Sequence, residues 1–212
     1  MEKSKNEAVV LVHGLWMTGV DLVLLRHRLR QCGFNTAQFS YHTVRRDIKQ
    51  NVSRLQQFVS KQQGGVMTFI GHSRGGLLLR QLFHDYPEQR PGRIVTLGTP
   101  HMGSVVARKF NRSSMGRFIL GRSLEKGLLG DVPPWQSTHE LGVIAGTLSI
   151  GVGQIMPGLE KPNDGTVAVK ETNMPGMTDH IEMPVSHTAL LFSAEVAKQT
   201  CYFLNAGCFQ RS

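Results

Sequence analysis

Along this chain, short apolar runs alternate with stretches whose apolar positions recur every three or four residues. The first run covers about 8–12, and a helical stretch follows over roughly 20–31, closed near Cys32-Gly33, where a glycine suits a C-terminal cap. A second strand is predicted at about 35–41 and a second helix at about 47–62. In that helix Ile48, Val52, Leu55, Phe58 and Val59 share one face, and Gly64-Gly65 ends it. Residues 66–70 read as a strand covered on both faces. Residues 74–86 form the next helix, stopped by Pro87, and 94–97 the fourth strand. The pattern then loosens for about forty residues. It resumes with strands near 142–146 and 181–185 and a last helix over about 188–204. Strand and helix in alternation predict parallel strands joined by helical crossovers, in a sheet of about six with helices on both faces.

With 212 residues the chain suits one domain, expected over 1–212, with 105–160 as its variable, flap-like part. No apolar run reaches the roughly 18 residues of a membrane-spanning helix. The opening MEKSKNEAVVLVHG carries two lysines before a short apolar run and reads as a first strand rather than a signal peptide. A cytoplasmic location is the default. The cysteines, Cys32, Cys201 and Cys208, are three, and no metal spacing links them. Reduced thiols are expected, with Cys201–Cys208 the pairing that spacing alone would allow.

The formal charge is +9, which draws a protein towards nucleic acid, anionic lipid or acidic substrates. Part of it lies in 105–130, where Arg108, Lys109, Arg112, Arg117, Arg122 and Lys126 face one acid, Glu125. The same segment holds Val105, Val106, Phe110, Met115, Phe118, Ile119, Leu120 and Leu124. Either this is a solvated surface segment, or it is a short flap that meets lipid-like esters and touches an anionic membrane peripherally. No helix-turn-helix, zinc or aromatic-platform motif accompanies the charge, so nucleic acid is not an expected partner. No motif calls for a metal or an organic cofactor, and nothing sets the oligomeric state.

Chemistry enters with Gly71-His72-Ser73-Arg74-Gly75, followed by Gly76, between the third strand and its helix. G-x-S-x-G at that junction puts a serine on a tight turn with its hydroxyl projecting from the top of the sheet. The bare pattern arises by chance in roughly one chain in fifteen of this length, so the strand–turn–helix context carries the argument. A second signal, Val12-His13-Gly14-Leu15-Trp16, ends the first strand. The backbone N–H groups of Leu15 and Arg74 are the natural pair of oxyanion donors. His13 is expected to shape that loop rather than act as the base.

The acid should lie between the serine and the histidine in chain order. Asp85 falls in the third helix and Asp131 in the loose basic segment. Asp164, in Asn163-Asp164-Gly165, follows the fifth strand in a sequence that favours an Asx-type turn. Asp179, just before the sixth strand, is the alternative. Of nine histidines, His187 follows the last strand, while His180 sits at that strand's opposite end. Ser73 as nucleophile, His187 as base and Asp164 as the group orienting it make one working set. The imidazole takes the serine proton, and the carboxylate fixes the tautomer.

With these motifs in place, the chain resembles the α/β-hydrolase superfamily, and within it the small lipases and esterases of the bacterial triacylglycerol-lipase and PGAP1-like group. The matching pieces are VVLVHGLW at 9–16, GHSRGG at 71–76, TLGTPHMGS at 96–104, NDGTV at 163–167 and SHT at 186–188. The resemblance implies a lidless or minimally capped hydrolase that cleaves carboxylic esters through an acyl-enzyme. Thioesters or lactones would use the same machinery, and a non-catalytic binding module is the alternative from another class. By the same resemblance His101 and Met102 would lie near the substrate, and Trp16 and His72, beside the two strand-end motifs, are expected there as well. Arg74 stands where relatives carry Met, Leu or Gln, which implies a cation at the mouth, turned either to an anionic substrate or to solvent.

Overall fold

The computed structural model describes residues 7–121, 127–151 and 158–211. Of the basic segment, Arg122, Leu124, Glu125 and Lys126 lie outside the described residues. Strand β1 (Glu7–Val12) leads through a 3-10 turn (Val20–Leu22) into α1 (Val23–Gln31), then β2 (Asn35–Phe39), α2 (Ile48–Ser60), β3 (Val66–His72) and α3 (Arg74–Asp85). β4 (Ile94–Leu97) is followed by two short helices, α4 (Val105–Asn111) and α5 (Ser114–Leu120). Then come β5 (Leu141–Gly146), a single turn α6 (Val169–Thr172), β6 (Asp179–Met183), a 3-10 turn (Ala189–Leu191) and α7 (Ala194–Ala206).

The six strands form one sheet in the order β2-β1-β3-β4-β5-β6, every neighbouring pair parallel. Alternation along each strand sends side chains to opposite faces. Val10 and Val12 pack with Val52, Leu55, Leu78 and Leu82 of α2 and α3, whereas Val9 and Leu11 pack with Leu25, Leu29, Val196 and Leu204 of α1 and α7. The chain therefore crosses from one face to the other between β2 and β3, and β1 and β3 lie side by side at that reversal. A crevice opens at the carboxyl ends of the strands at such a switch point.

Three boundaries differ from the sequence expectation. β6 begins two residues earlier than the predicted 181, so Asp179 and His180 are its first residues. The last helix starts at Ala194, because the Ser193 side chain accepts from Val196 N (3.3 Å) and begins a new helix after the 3-10 turn. The loose region contains α4 and α5, capped by Ser104 (from Ala107 N, 3.1 Å) and Ser113 (from Gly116 N, 2.9 Å). The cysteine expectation is corrected as well. Cys32, after α1, and Cys201, in α7, form a disulfide on the same face of the sheet, and Cys208 is the free, exposed thiol. Among the described residues no helix is long and apolar enough to cross a membrane.

Candidate active site

Ser73 follows β3 directly and caps α3 with φ 53° and ψ −124°. It and Trp16 (φ 58°) are the non-glycine residues with positive φ among those described. Such a backbone costs about 1–3 kcal/mol and persists only where its surroundings enforce it. The enforcement is visible in the glycines. A Cβ on Gly75 would lie 2.3 Å from Val12 O, and one on Gly76 would lie 2.1 Å from Thr99 Oγ1. Strand and helix can meet this closely only without side chains. Ser73 N donates to Leu97 O (2.8 Å) and Thr99 Oγ1 donates to Ser73 O (2.9 Å), so β4 and its following turn also hold the elbow.

Asp164 sits in the expected Asx-type turn. Asn163 Oδ1 accepts from Gly165 N (2.9 Å), and Gly165 has φ +88°. Asp164 is fully buried, and its Oδ1 accepts from Thr166 N (2.9 Å) and Val167 N (2.7 Å). Its Oδ2 accepts from His187 Nδ1 at 2.6 Å, and its carbonyl accepts from His187 N at 2.8 Å. A carboxylate accepts only, so Nδ1 of His187 is the donor in this contact, which leaves Nε2 as the nitrogen turned away from Asp164. Gly98, in the turn after β4, was assigned no role from sequence. Its φ is +55°, and a Cβ there would stand 3.0 Å from both Asp164 Oδ2 and His187 Nδ1.

Asp179 is at the opposite end of the sheet, where it accepts from Phe209 N (2.7 Å) and Arg211 Nη2 (2.5 Å). Although burial raises its pKa, the backbone N–H of Phe209 and the Arg211 guanidinium hold it below the ordinary value. His180 meets Thr172 Oγ1 (3.0 Å) at that same end.

Ser73 and His187 border one cavity of about 280 Å³, which Leu15, Trp16, Met17, His72, Thr166, Val167 and Thr188 also line. Val106, Ala107 and Phe110 from α4, Leu120 from the end of α5, and Leu128 complete it, so the segment after β4 supplies the apolar wall. Glu171 anchors that wall by accepting from Val105 N (2.5 Å) and Ala168 N (2.9 Å). Trp16 ties down the other side, since its Nε1 donates to Ile119 O (3.3 Å). On the outside, α5 exposes Met115 and Phe118, the latter 85% accessible. Leu15 borders the cavity, and Arg74 N–H is the first of α3, one of the helix-terminal donors without an intrahelical acceptor.

The other expected neighbours divide. Trp16 lines the cavity. His72 also touches it, but is buried, and its Nε2 donates to His187 O (3.2 Å). Burial, reinforced by nearby His187, pulls its pKa well down, so it is a neutral prop behind His187. His101 and Met102 lie away from the cavity. His101 turns inward to Thr96 Oγ1 (3.1 Å), and burial lowers its pKa to about 3. Met102 is exposed beside a different cleft with Lys170 and Glu171. His13 shapes its loop: Nδ1 donates to Gly14 O (2.9 Å), Nε2 accepts from Tyr41 N (3.2 Å), and the ring stacks on Tyr41. Arg74 corrects the expectation of a cation at the mouth. Its side chain is buried, 2% accessible, with Cζ 5.9 Å from the Tyr41 ring; its Nη1 and Nη2 make no well-formed hydrogen bond among the described residues, although the guanidinium is close enough to the Tyr41 hydroxyl to oppose the raising of that group's pKa by burial. No group of three or more potential metal ligands occurs among the described residues.

Comparison with known proteins gives the architecture its setting. A family model described as Domain of unknown function (DUF7379) matches residues 2–203. No curated protein matches by sequence. Among solved structures, the mature form of the lipase BlEst2 of Bacillus licheniformis is similar at TM-score 0.74 and 18% identity, over 98% of this chain and 94% of that one. An esterase (EaEST) of Exiguobacterium antarcticum matches at TM-score 0.65 and 11% identity, over 94% and 92%. Phospholipase PlaB of Legionella pneumophila matches at TM-score 0.63 and 18% identity, over 79% of this chain and 45% of that one. The fold they share with this chain is the α/β-hydrolase fold.

Proposed function

Because the chain belongs to the DUF7379 family, whose description assigns no activity, its function has to be argued from the site, and we propose that it is a serine hydrolase of carboxylic esters. The observation that carries this reading is the 2.6 Å contact between His187 Nδ1 and Asp164 Oδ2, beside the same cavity as the strained Ser73. His187 Nε2 takes the Ser73 hydroxyl proton as Oγ attacks the ester carbonyl. Asp164 stabilises the resulting imidazolium. Negative charge on the carbonyl oxygen is met by the N–H groups of Leu15 and Arg74, each worth about 3 kcal/mol in comparable sites. The C–O bond then breaks, and the departing alcohol takes the proton from Nε2. Water, deprotonated by the same nitrogen, releases the acid and restores Ser73. A cavity of about 280 Å³ walled by Val106, Phe110, Leu120 and Leu128 suits a short or medium acyl chain. Lipases and an esterase among the structural neighbours support the same class.

The test is the initial rate on p-nitrophenyl esters from acetate to palmitate, for the wild type and Ser73→Ala in parallel. Loss of the nucleophile should lower kcat about a million-fold, as removal of a triad serine does elsewhere. Equal rates from the two proteins would refute the mechanism.

A further inference from the structure

A second cavity, of about 400 Å³, adjoins the one that holds Ser73, and Trp16 and Met17 line both. Its far wall is the segment after β2, which contributes Tyr41, His42 and Arg45, and Arg54 reaches it from α2. Among the described residues, no carboxylate lines it. Of the acids nearest in sequence, Asp47 caps α2 by accepting from Gln50 N (2.8 Å), and Asp21 accepts from Thr18 N (3.4 Å). Behind the wall, the buried Arg74 guanidinium lies against the Tyr41 ring with two nitrogens that make no well-formed hydrogen bond. Two arginines thus line one concavity, with a third buried behind Tyr41, and its described lining residues hold no counter-charge. Guanidinium forks pair with phosphate through two parallel hydrogen bonds, which gives geometry as well as charge.

We propose that this cavity is an anion subsite that receives a phosphate group on the alcohol side of the ester, with Arg45 and Arg54 as its ligands. The acyl chain then lies under α4 and α5, the scissile carbonyl at Ser73, and the phosphate beyond Trp16. The buried Arg74 adds positive potential from behind without touching the ligand. This rests on the hydrolase reading for its place in the reaction, but its binding claim stands separately.

The experiment compares monoacylglycerol phosphate with monoacylglycerol of the same acyl chain. In wild type, kcat/KM should favour the phosphate ester by about tenfold or more, and Arg45→Gln/Arg54→Gln should abolish that preference. Both arginines are exposed, so the double variant should fold and hydrolyse the neutral ester within about twofold of wild type. Calorimetry on Ser73→Ala, with and without the arginine substitutions, reads binding without turnover, and inorganic phosphate as a third ligand separates the headgroup alone from the lipid. Arginine-dependent binding of the phosphate ester with no hydrolysis of any ester would uphold the subsite and overturn the hydrolase reading. No preference in wild type, or a preference that survives in the double variant, would overturn the subsite.

Discussion

The two ends of the sheet are built to different standards. At the amino ends of the strands, the charged groups find partners, although the buried Trp135 Nε1 has none among the described residues. Arg93, before β4, bonds Glu140 (2.5 Å), Leu204 O (3.0 Å) and Asn205 O (3.1 Å). Arg90 donates to the carbonyls of Gln62, Gly64 and Val59, and Arg211 clamps Asp179. At the carboxyl ends, Ser73 and Trp16 hold left-handed backbones, and His72 Nδ1, His101 Nδ1 and two Arg74 nitrogens are buried without partners. Among the described residues, the left-handed non-glycine backbones lie at the end where the crevice opens. That asymmetry is expected when one end carries stability and the other carries chemistry.

The largest effect that could break this contrast concerns the two carboxylates the sequence left open. Asp164→Asn should lower kcat on a p-nitrophenyl ester by about ten-thousand-fold, as loss of the acid does in a measured triad, because the amide favours the wrong imidazole tautomer. Asp179→Asn should leave kcat within about twofold, since its partners are Arg211 and Phe209 N at the far end. Reversed outcomes would move the acid to Asp179.

Most of the frame was legible in the chain. The β-branched and apolar runs of β1, β3, β4 and β5 mark buried strands by composition, and G-x-S-x-G needs only its flanking strand and helix to be read. Asp164 was favoured over Asp179 by a single turn motif, because boundary positions such as the start of β6 leave no periodic trace. The helices α4 and α5 were missed since seven residues give too few periods to see, although Ser104 and Ser113 are ordinary capping signals. Cys32 and Cys201 are 169 residues apart, and only the packing of α1 beside α7 brings them together. The burial of Arg74 was illegible for a similar reason. The elbow motif fixes its backbone, but what covers its side chain is decided by Tyr41 and by a loop from another strand.

A smaller effect sharpens the contrast through pH. His13, His72 and His101 have pKa values lowered chiefly by burial, His101 to about 3. The folded protein therefore keeps them neutral where the unfolded chain protonates them. The unfolded state binds more protons below about pH 6.5, so the stability these groups contribute is complete above that value and falls as pH drops towards the folded values. Each histidine removes up to about 1.4 kcal/mol per pH unit in that window. Urea midpoints from pH 7 to 4 should fall less steeply in His101→Gln than in wild type. Parallel curves for wild type and His101→Gln would remove the buried histidines from the comparison.

The smallest effect asks for opposite signs from one kind of substitution. Arg93→Met deletes a satisfied cation at the amino end. It should cost about 1 kcal/mol, held low because the pair is partly exposed and screened. Arg74→Met deletes a buried cation whose Nη1 and Nη2 make no well-formed hydrogen bond, and an apolar side chain of similar length can fill its place beside Tyr41. It should leave stability unchanged or raise it by about 1–3 kcal/mol, as replacement of poorly compensated buried charge does elsewhere. Its backbone N–H remains, so any loss of kcat reports the charge and not the oxyanion donor; a decrease of about tenfold is expected if that buried positive field favours negative charge developing at the carbonyl. Stability gained with activity lost would mean that the carboxyl end keeps an unsatisfied cation for its field. If Arg74→Met instead unfolds more readily than Arg93→Met, the guanidinium is a structural member, and the contrast between the two ends rests on the strained Ser73 and the buried histidines alone.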